Sequence, residues 1–293
     1  MLPEAEASFL HSSKHDMCGT ECMPGCPAHW PEWTEAYRPD DNQIASAYES
    51  IVPQLRAVIK TGLALAHMYF GEVTETRCET VRNHHLGFWR ATHMRSVPWA
   101  IVAFTARYAA AARLAAACVA AQLGGVPLVG AVCVGGTPTK EALVSLELSG
   151  VEDIFVLNAA QLDALLATMV PAPGRLVLLH TGELDMIADT FRAQGMLCFE
   201  ERRMPLLAMP EPNLFDSTAI SFAQAEAYAS IRQKVMPEKA DAVYLSPKKA
   251  YAVCMEGASA PPLLLTPGCE GFWLHPGLTP SSFHVQTTAF GVL

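Results

Sequence analysis

The chain has 293 residues, of which 51% are hydrophobic and 17% charged, with a formal net charge of −9. That length and apolar content allow a sizeable buried core and exclude a disordered chain. The negative charge, with lysines and arginines scattered and the densest pair, Arg202–Arg203, preceded by Glu200–Glu201, argues against a nucleic-acid partner.

The opening residues, MLPEAEASFLHSSKHD, show no basic-then-apolar signal pattern, so a cytoplasmic location is expected. Residues 1–40 read as an irregular arm rich in Cys, Pro and Trp. Within it Cys18, Cys22, Cys26 and His29 follow a C-x3-C-x3-C-x2-H spacing. Thiolates and imidazole so close together suit zinc or an iron–sulfur cluster. No C-x2-C pair is present, and a disulfide or free thiols remain alternatives. If no metal orders the arm, Trp30 and Trp33 are the residues able to dock it by packing.

Residues 41–97 are expected to be helical: 43–70 show helical periodicity broken at Pro53, and 72–93 read as a further helix. That last stretch carries His84, His85 and His93 among Arg82, Arg90 and Arg95, which reads as a solvated basic face. Residues 98–200 alternate helix and strand, with strands at 128–134, 153–157, 175–180 and 196–199 and helices at about 106–123, 139–149, 159–169 and 183–194. The apolar window 114–134 is long enough to span a membrane, but Gln122, Gly124–Gly125 and Pro127 break it into a buried helix, a turn and a buried strand. Gly135, Gly136 and Thr137, with Thr137 as N-cap and Pro138 at the first helical position, form a strand-to-helix turn whose amides could hold an anion. His180 falls at the end of a strand, where open α/β sheets bind ligands. Residues 201–260 include a Pro-rich crossing at 204–216, a helix at 221–235 and a strand at 242–245, before an irregular tail at 261–293.

Three segments carry a particular wording. SGVEDIFVLNAAQLDALLA keeps a Gly-Val, Asp153, Phe155 and the Ala160–Gln161 pair; SFAQAEAYASIRQKVMPEKADAVYL and GLTPSSFHVQTTAFGVL follow in order. Together they resemble histidinol dehydrogenase over roughly 98–170 and 220–293. The resemblance implies α/β, Rossmann-like open and mainly parallel sheet modules of the aldehyde-dehydrogenase-like type, binding NAD with Gln161 and Asn158 near the cofactor. It also implies a homodimer whose tail exchanges between subunits. That dimer is also expected from the apolar load of Phe272, Trp273, Leu278 and Phe283 in an extended tail.

The departures concern function. The family's catalytic Glu-His pair falls on Glu238 and Lys239, and an ordinary lysine is protonated at neutral pH and no general base. One zinc-ligand position falls on Leu264, and the helical Gln-x-x-His ligand pair has no counterpart. Two readings follow: a divergent homologue that has lost zinc-dependent oxidation and binds a small molecule or partner, or an NAD-dependent oxidoreductase acting without the zinc.

Overall fold

The computed structural model describes residues 29–73, 76–232, 235–256 and 260–293. Cys18, Cys22 and Cys26 lie outside the described residues, and His29 is exposed. A short 3-10 turn at Glu32–Tyr37 leads to α1 (Asp41–Ser50) and α2 (Pro53–Phe70). Pro53 opens α2 at its first turn, where the missing N–H costs nothing.

The helix expected over 72–93 is absent from the described residues of that stretch. Arg77–Asn83 (β1) and Phe88–Ser96 (β2) pair as an antiparallel hairpin, with Arg77 opposite Met94 and Asn83 opposite Phe88. Their residues lie on two solvated faces, so the polar run carries no apolar stripe to mark its period.

The centre of the molecule is β3 (Trp99–Thr105). The chain then runs α3 (Ala111–Leu123), β4 (Leu128–Val134), α4 (Lys140–Leu148), β5 (Asp153–Leu157), α5 (Ala159–Met169), β6 (Arg175–Leu179), α6 (Asp185–Ala193) and β7 (Cys198–Glu201). These strands form an all-parallel sheet in the order β5-β4-β3-β6-β7. This is the open, doubly wound arrangement expected from the sequence, with the order reversing between β3 and β6. Side chains of β3 alternate between two cores. Ala100, Val102 and Phe104 meet α3 and α4 on one face, while Trp99, Ile101 and Ala103 meet α5 and α6 on the other. No helix among the described residues is long and apolar enough to cross a membrane.

A smaller module follows. β8 (Leu207–Ala208), α7 (Ser217–Gln224), α8 (Ala229–Arg232), β9 (Ala242–Tyr244), α9 (Pro247–Glu256) and β10 (Leu263–Leu265) build a three-stranded parallel sheet in the order β10-β9-β8. The helix expected over 221–235 begins earlier, at Ser217, and is interrupted by a 3-10 turn at Ala225–Tyr228.

The tail is not irregular throughout. Its final segment, β11 (His284–Val292), pairs antiparallel with β2 from His284–Ser96 to Val292–Phe88. Phe272, Trp273, Leu278 and Phe283 are buried in their own chain, so their apolar surface does not call for a partner subunit. α2 and the tail touch backbone to backbone. A Cβ on Gly62 would lie 1.9 Å from the Gly271 oxygen, and one on Gly271 2.0 Å from that of Val58.

Of the two tryptophans before α1, Trp30 is the anchor. It is buried against Gly130 of β4, where a Cβ would lie 2.6 Å from the indole, and packs edge-on to Phe155 at 5.8 Å. Trp33 is 37% exposed and stacks only on Tyr37. Arg38 completes the attachment by bonding Asp153 at 2.6 Å and the Glu152 carbonyl at 3.0 Å.

Candidate functional site

Ligands of open α/β sheets bind beyond the carboxyl ends of the strands, where helix N-termini point their free amides. Here those N-termini are occupied from within the chain. The cap of α4 is Thr139, whose hydroxyl accepts from the Ala142 amide at 3.1 Å; Thr137 is exposed and Pro138 precedes the cap. The expected cap is displaced by two residues because Gly135, at φ +82, and Gly136 lengthen the turn before the helix begins. Gly136 packs against the preceding βα turn, since a Cβ there would lie 2.9 Å from that of Ala106.

The Asn158 and Gln161 side chains close α5 in a reciprocal capping box: Gln161 N–H donates to Asn158 at 2.9 Å and Asn158 N–H to Gln161 at 2.8 Å. These two residues, which the sequence marks for a cofactor, spend their side chains on helix geometry.

The α6 terminus is held by His180 and Glu183. His180 is buried at the end of β6, and its Nδ1 accepts from the amides of Gly182 (2.9 Å) and Leu184 (3.3 Å). With Nδ1 an acceptor, Nε2 is the donor to Glu200, at 3.1 Å. The histidine expected to line a cleft is thus a lock on its own turn. Glu183 accepts from the Thr181 amide, and that bond, first among several, holds its carboxyl below the ordinary range. His180, Asp185 and Glu200 place ligand atoms within 4.8 Å of one another. They make a poor cation site, because both imidazole nitrogens are engaged and Glu200 also accepts from Arg192 and Arg202.

The N-terminus of α3 differs. It follows β3, in the first βα turn, and has no side-chain cap of its own. The amide of Ala109 instead donates to Glu226, from the smaller module, at 3.2 Å. Beside it lies a buried polar network. Arg113, 1% exposed, reaches Glu201 at 2.5 Å and Glu226 at 3.5 Å. Glu201 also accepts from Tyr108 at 3.0 Å and faces His275 Nδ1 at 2.9 Å, while His275 Nε2 lies 2.7 Å from the Arg113 carbonyl. Strand alternation explains the division of labour at the end of β7: Glu200 serves the His180 side of the sheet and Glu201 the Arg113 side.

Charge is matched inside this network. Burial alone would lower the Arg113 pKa, but the Tyr108 oxygen and the Glu201 and Glu226 carboxylates hold it above its ordinary value. Burial would raise Glu201, yet the hydrogen bond and charge of His275 and the charge of Arg113 keep it low. Tyr108 is pushed well up, chiefly by burial. The sequence signal for the network is Arg113 itself, one arginine in the Ala-rich buried run AARLAAACVAAQL, which requires a carboxylate partner.

The remaining sequence-marked residues do not join it. Glu238 and Lys239 are exposed on a one-turn 3-10 helix ahead of β9, and Leu264 is a strand residue of β10. Gln161 follows β5 and His180 follows β6, three strand spacings or about 14 Å apart across the sheet.

One acid-pH expectation follows. Glu211 accepts from the Ser246 amide and from Lys249, which hold its carboxyl down at about 2. A depressed carboxyl contributes stability above its unfolded value and loses it as pH falls through the folded one. The thermal midpoint is therefore expected to fall as pH drops from about 4.5 towards 2. Glu211→Gln should make that acid limb shallower; an acid limb superimposable on the wild type would contradict the assignment.

No family model matches the chain, and no curated protein matches it in sequence. Solved structures do. Histidinol dehydrogenase from Elizabethkingia anophelis is similar over 88% of this chain and 77% of that one, at 11% identity and a TM-score of 0.57. A putative aldehyde dehydrogenase from Bacillus subtilis subsp. subtilis str. 168 covers 73% and 55% at 13% identity and a TM-score of 0.34. An aldehyde dehydrogenase from Mycobacterium tuberculosis, complexed with NAD+, covers 73% and 48% at 15% identity and a TM-score of 0.36. The chain has the histidinol dehydrogenase fold.

Proposed function

We propose that this chain uses a dehydrogenase fold without the zinc-dependent oxidation of histidinol, and serves as a non-catalytic protein that binds a small molecule or a partner. The observation that carries this reading is the state of the βα turns. An oxidoreductase of this class needs a site for the dinucleotide's diphosphate. At the first turn the place of that anion is taken by the carboxylate of Glu226, with Glu201 close behind. The α5 and α6 turns are closed by their own side chains. NAD does not fit such a sheet edge.

Zinc does not fit either. The position that resemblance gives to a ligand is Leu264, which offers no donor atom. Glu238 and Lys239 face solvent and are not enclosed with any other candidate site residue. The alternative, an NAD-dependent oxidoreductase acting on another substrate without zinc, has the fold in its favour and no residue constellation.

The test is direct. Purified protein with histidinol, NAD and added zinc is expected to give no NADH, and calorimetry is expected to give no saturable NAD binding at millimolar concentration. Chelator-sensitive NADH formation would refute the loss of zinc chemistry. Saturable NAD binding without it would favour the alternative.

A further inference from the structure

One carboxylate of this chain stands where a ligand would. The Ala109 amide, in the turn between β3 and α3, donates to one oxygen of Glu226 at 3.2 Å, and the Arg113 guanidinium reaches the other oxygen at 3.5 Å. A backbone amide ahead of an uncapped helix and a guanidinium converging on one anion are the contacts that small oxyanions receive in proteins. The caps of α4 and α5 come from within their own turns, whereas Glu226 arrives from 117 residues further along the chain. Its side chain is 37% exposed, so dissolved anions can reach the same place.

Arg113 gives the turn more than a helix end. It is buried, its guanidinium points at the carboxylate held by Ala109, and its Nε has no hydrogen-bond partner. A guanidinium has five donors and a carboxylate only two oxygens, so a donor is left over for a ligand richer in acceptors. Leaving it unused in a buried place costs free energy.

The segment that delivers Glu226 is held under strain. Ala225 sits at φ +36 and ψ −109, and it is the only non-glycine residue with positive φ among the described residues. A Cβ clashes with the backbone there, so the conformation persists only while its surroundings impose it. Gln224, on the other side of Ala225 from Glu226, is fully buried, and neither its side-chain oxygen nor its nitrogen has a partner. Both features raise the energy of the arrangement that brings Glu226 to the turn.

We propose that Glu226 is a displaceable occupant, and that the turn binds a small oxyanion, a phosphate or phosphate monoester group, in exchange for it. The incoming group takes the Ala109 amide and the Arg113 guanidinium, while Glu226 swings into solvent and Ala225 relaxes. This inference rests on the reading above that the chain binds a small molecule, and it names the chemical class. It keeps the exclusion of NAD. The α5 and α6 turns stay closed by their own side chains, so the exchange makes room for one anionic group and not for a dinucleotide laid along the sheet edge.

The probe is inorganic phosphate, titrated into the full-length chain by calorimetry against chloride of equal ionic strength. Saturable binding at millimolar concentration is expected. Glu226→Gln keeps the shape and removes the competing charge, so it should tighten phosphate by at least about tenfold. Ala225→Gly accepts the positive φ without strain and favours the closed arrangement, so it should weaken phosphate by about threefold or more. Amide hydrogen exchange locates the event: phosphate should speed exchange over residues 225–232 and slow it over 107–113. Absence of phosphate binding in both wild type and Glu226→Gln would overturn the proposal. So would equal affinities for the two, with circular dichroism showing both folded, or binding confined to Glu226→Gln, which would make the carboxylate a permanent occupant. Binding that leaves exchange over 225–232 unchanged would place the ion elsewhere and refute the site. The preceding reading fails separately: NAD binding by a chain that passes these tests would refute that function and keep this site, whereas binding of neither would refute this site alone.

Discussion

Glu201→Ala is expected to destabilise the fold by about 3–5 kcal/mol, the range found when one partner of a buried ion pair is removed. The reason is what it leaves behind. Arg113 would keep a buried guanidinium with only the partly exposed Glu226 to answer it, at 3.5 Å, and Tyr108 would lose its acceptor. Denaturant unfolding read by circular dichroism gives the loss directly. Glu226→Ala is the internal control, because a partly exposed carboxylate should cost about 1 kcal/mol or less. Arg113→Met combined with Glu201→Gln should be milder than Glu201→Ala alone, since an apolar pair leaves no stranded charge. Equal losses for Glu201→Ala and Glu226→Ala would mean that the network is hydrated and that burial is not what makes it matter.

The second large effect is steric. Gly271→Ala should cost at least about 3 kcal/mol, the upper end of overpacking penalties, because the added carbon would sit 2.0 Å from a carbonyl oxygen of α2. Backbone cannot rotate aside as a side chain does, so α2 and the tail must separate. The same holds in reverse for Gly62→Ala, and the two losses should not add, since either one opens the same seam. Thermal unfolding of the two single variants and the double tests both points. A wild-type midpoint for Gly271→Ala would show that the seam between α2 and the tail is looser than their close approach implies.

The parallel sheet was largely legible in the amino-acid order, and the reason is chemical. β4, β5 and β6 are short apolar runs, β4 and β6 directly preceded by Pro127 and Gly174, and the helices between them carry capping residues, so strand and helix signals agree. β3 escaped because WAIVAFT is buried on both faces, and a continuous apolar run has no period of two. The β1–β2 hairpin escaped for the opposite reason, with both faces wet and no stripe to read. β10 and β11 were hidden in a tail whose prolines and glycines read as irregular chain.

The candidate site was less legible than the fold. Asn158 and Gln161, which the resemblance places near a cofactor, and His180, expected to line a cleft, each hydrogen-bond within their own turn. What sequence spacing could not supply is the meeting of Tyr108, Arg113, Glu201, Glu226 and His275. They come from four separate stretches, and only Arg113, isolated among alanines, announces a missing partner.

The pairing of β11 with β2 bears on how the chain reaches this state. Residue 284 sits opposite residue 96, so the hairpin arm cannot acquire its third strand until the whole parallel sheet and the smaller module have been synthesised. The Val97 amide donates to the Phe283 carbonyl, and Arg175 of β6 donates to the carbonyls of Ser282 and His284, so the tail also closes over a sheet that must already exist. Loop closure over such separations is slow compared with helix formation. During translation, β1 and β2 therefore wait as a two-stranded ribbon, which is marginal in water by itself and exposes the edge of β2. Folding from the ribosome has an obligatory late step, and a chaperone that shields one short edge between the emergence of residues 96 and 292 would act on the yield of the whole molecule.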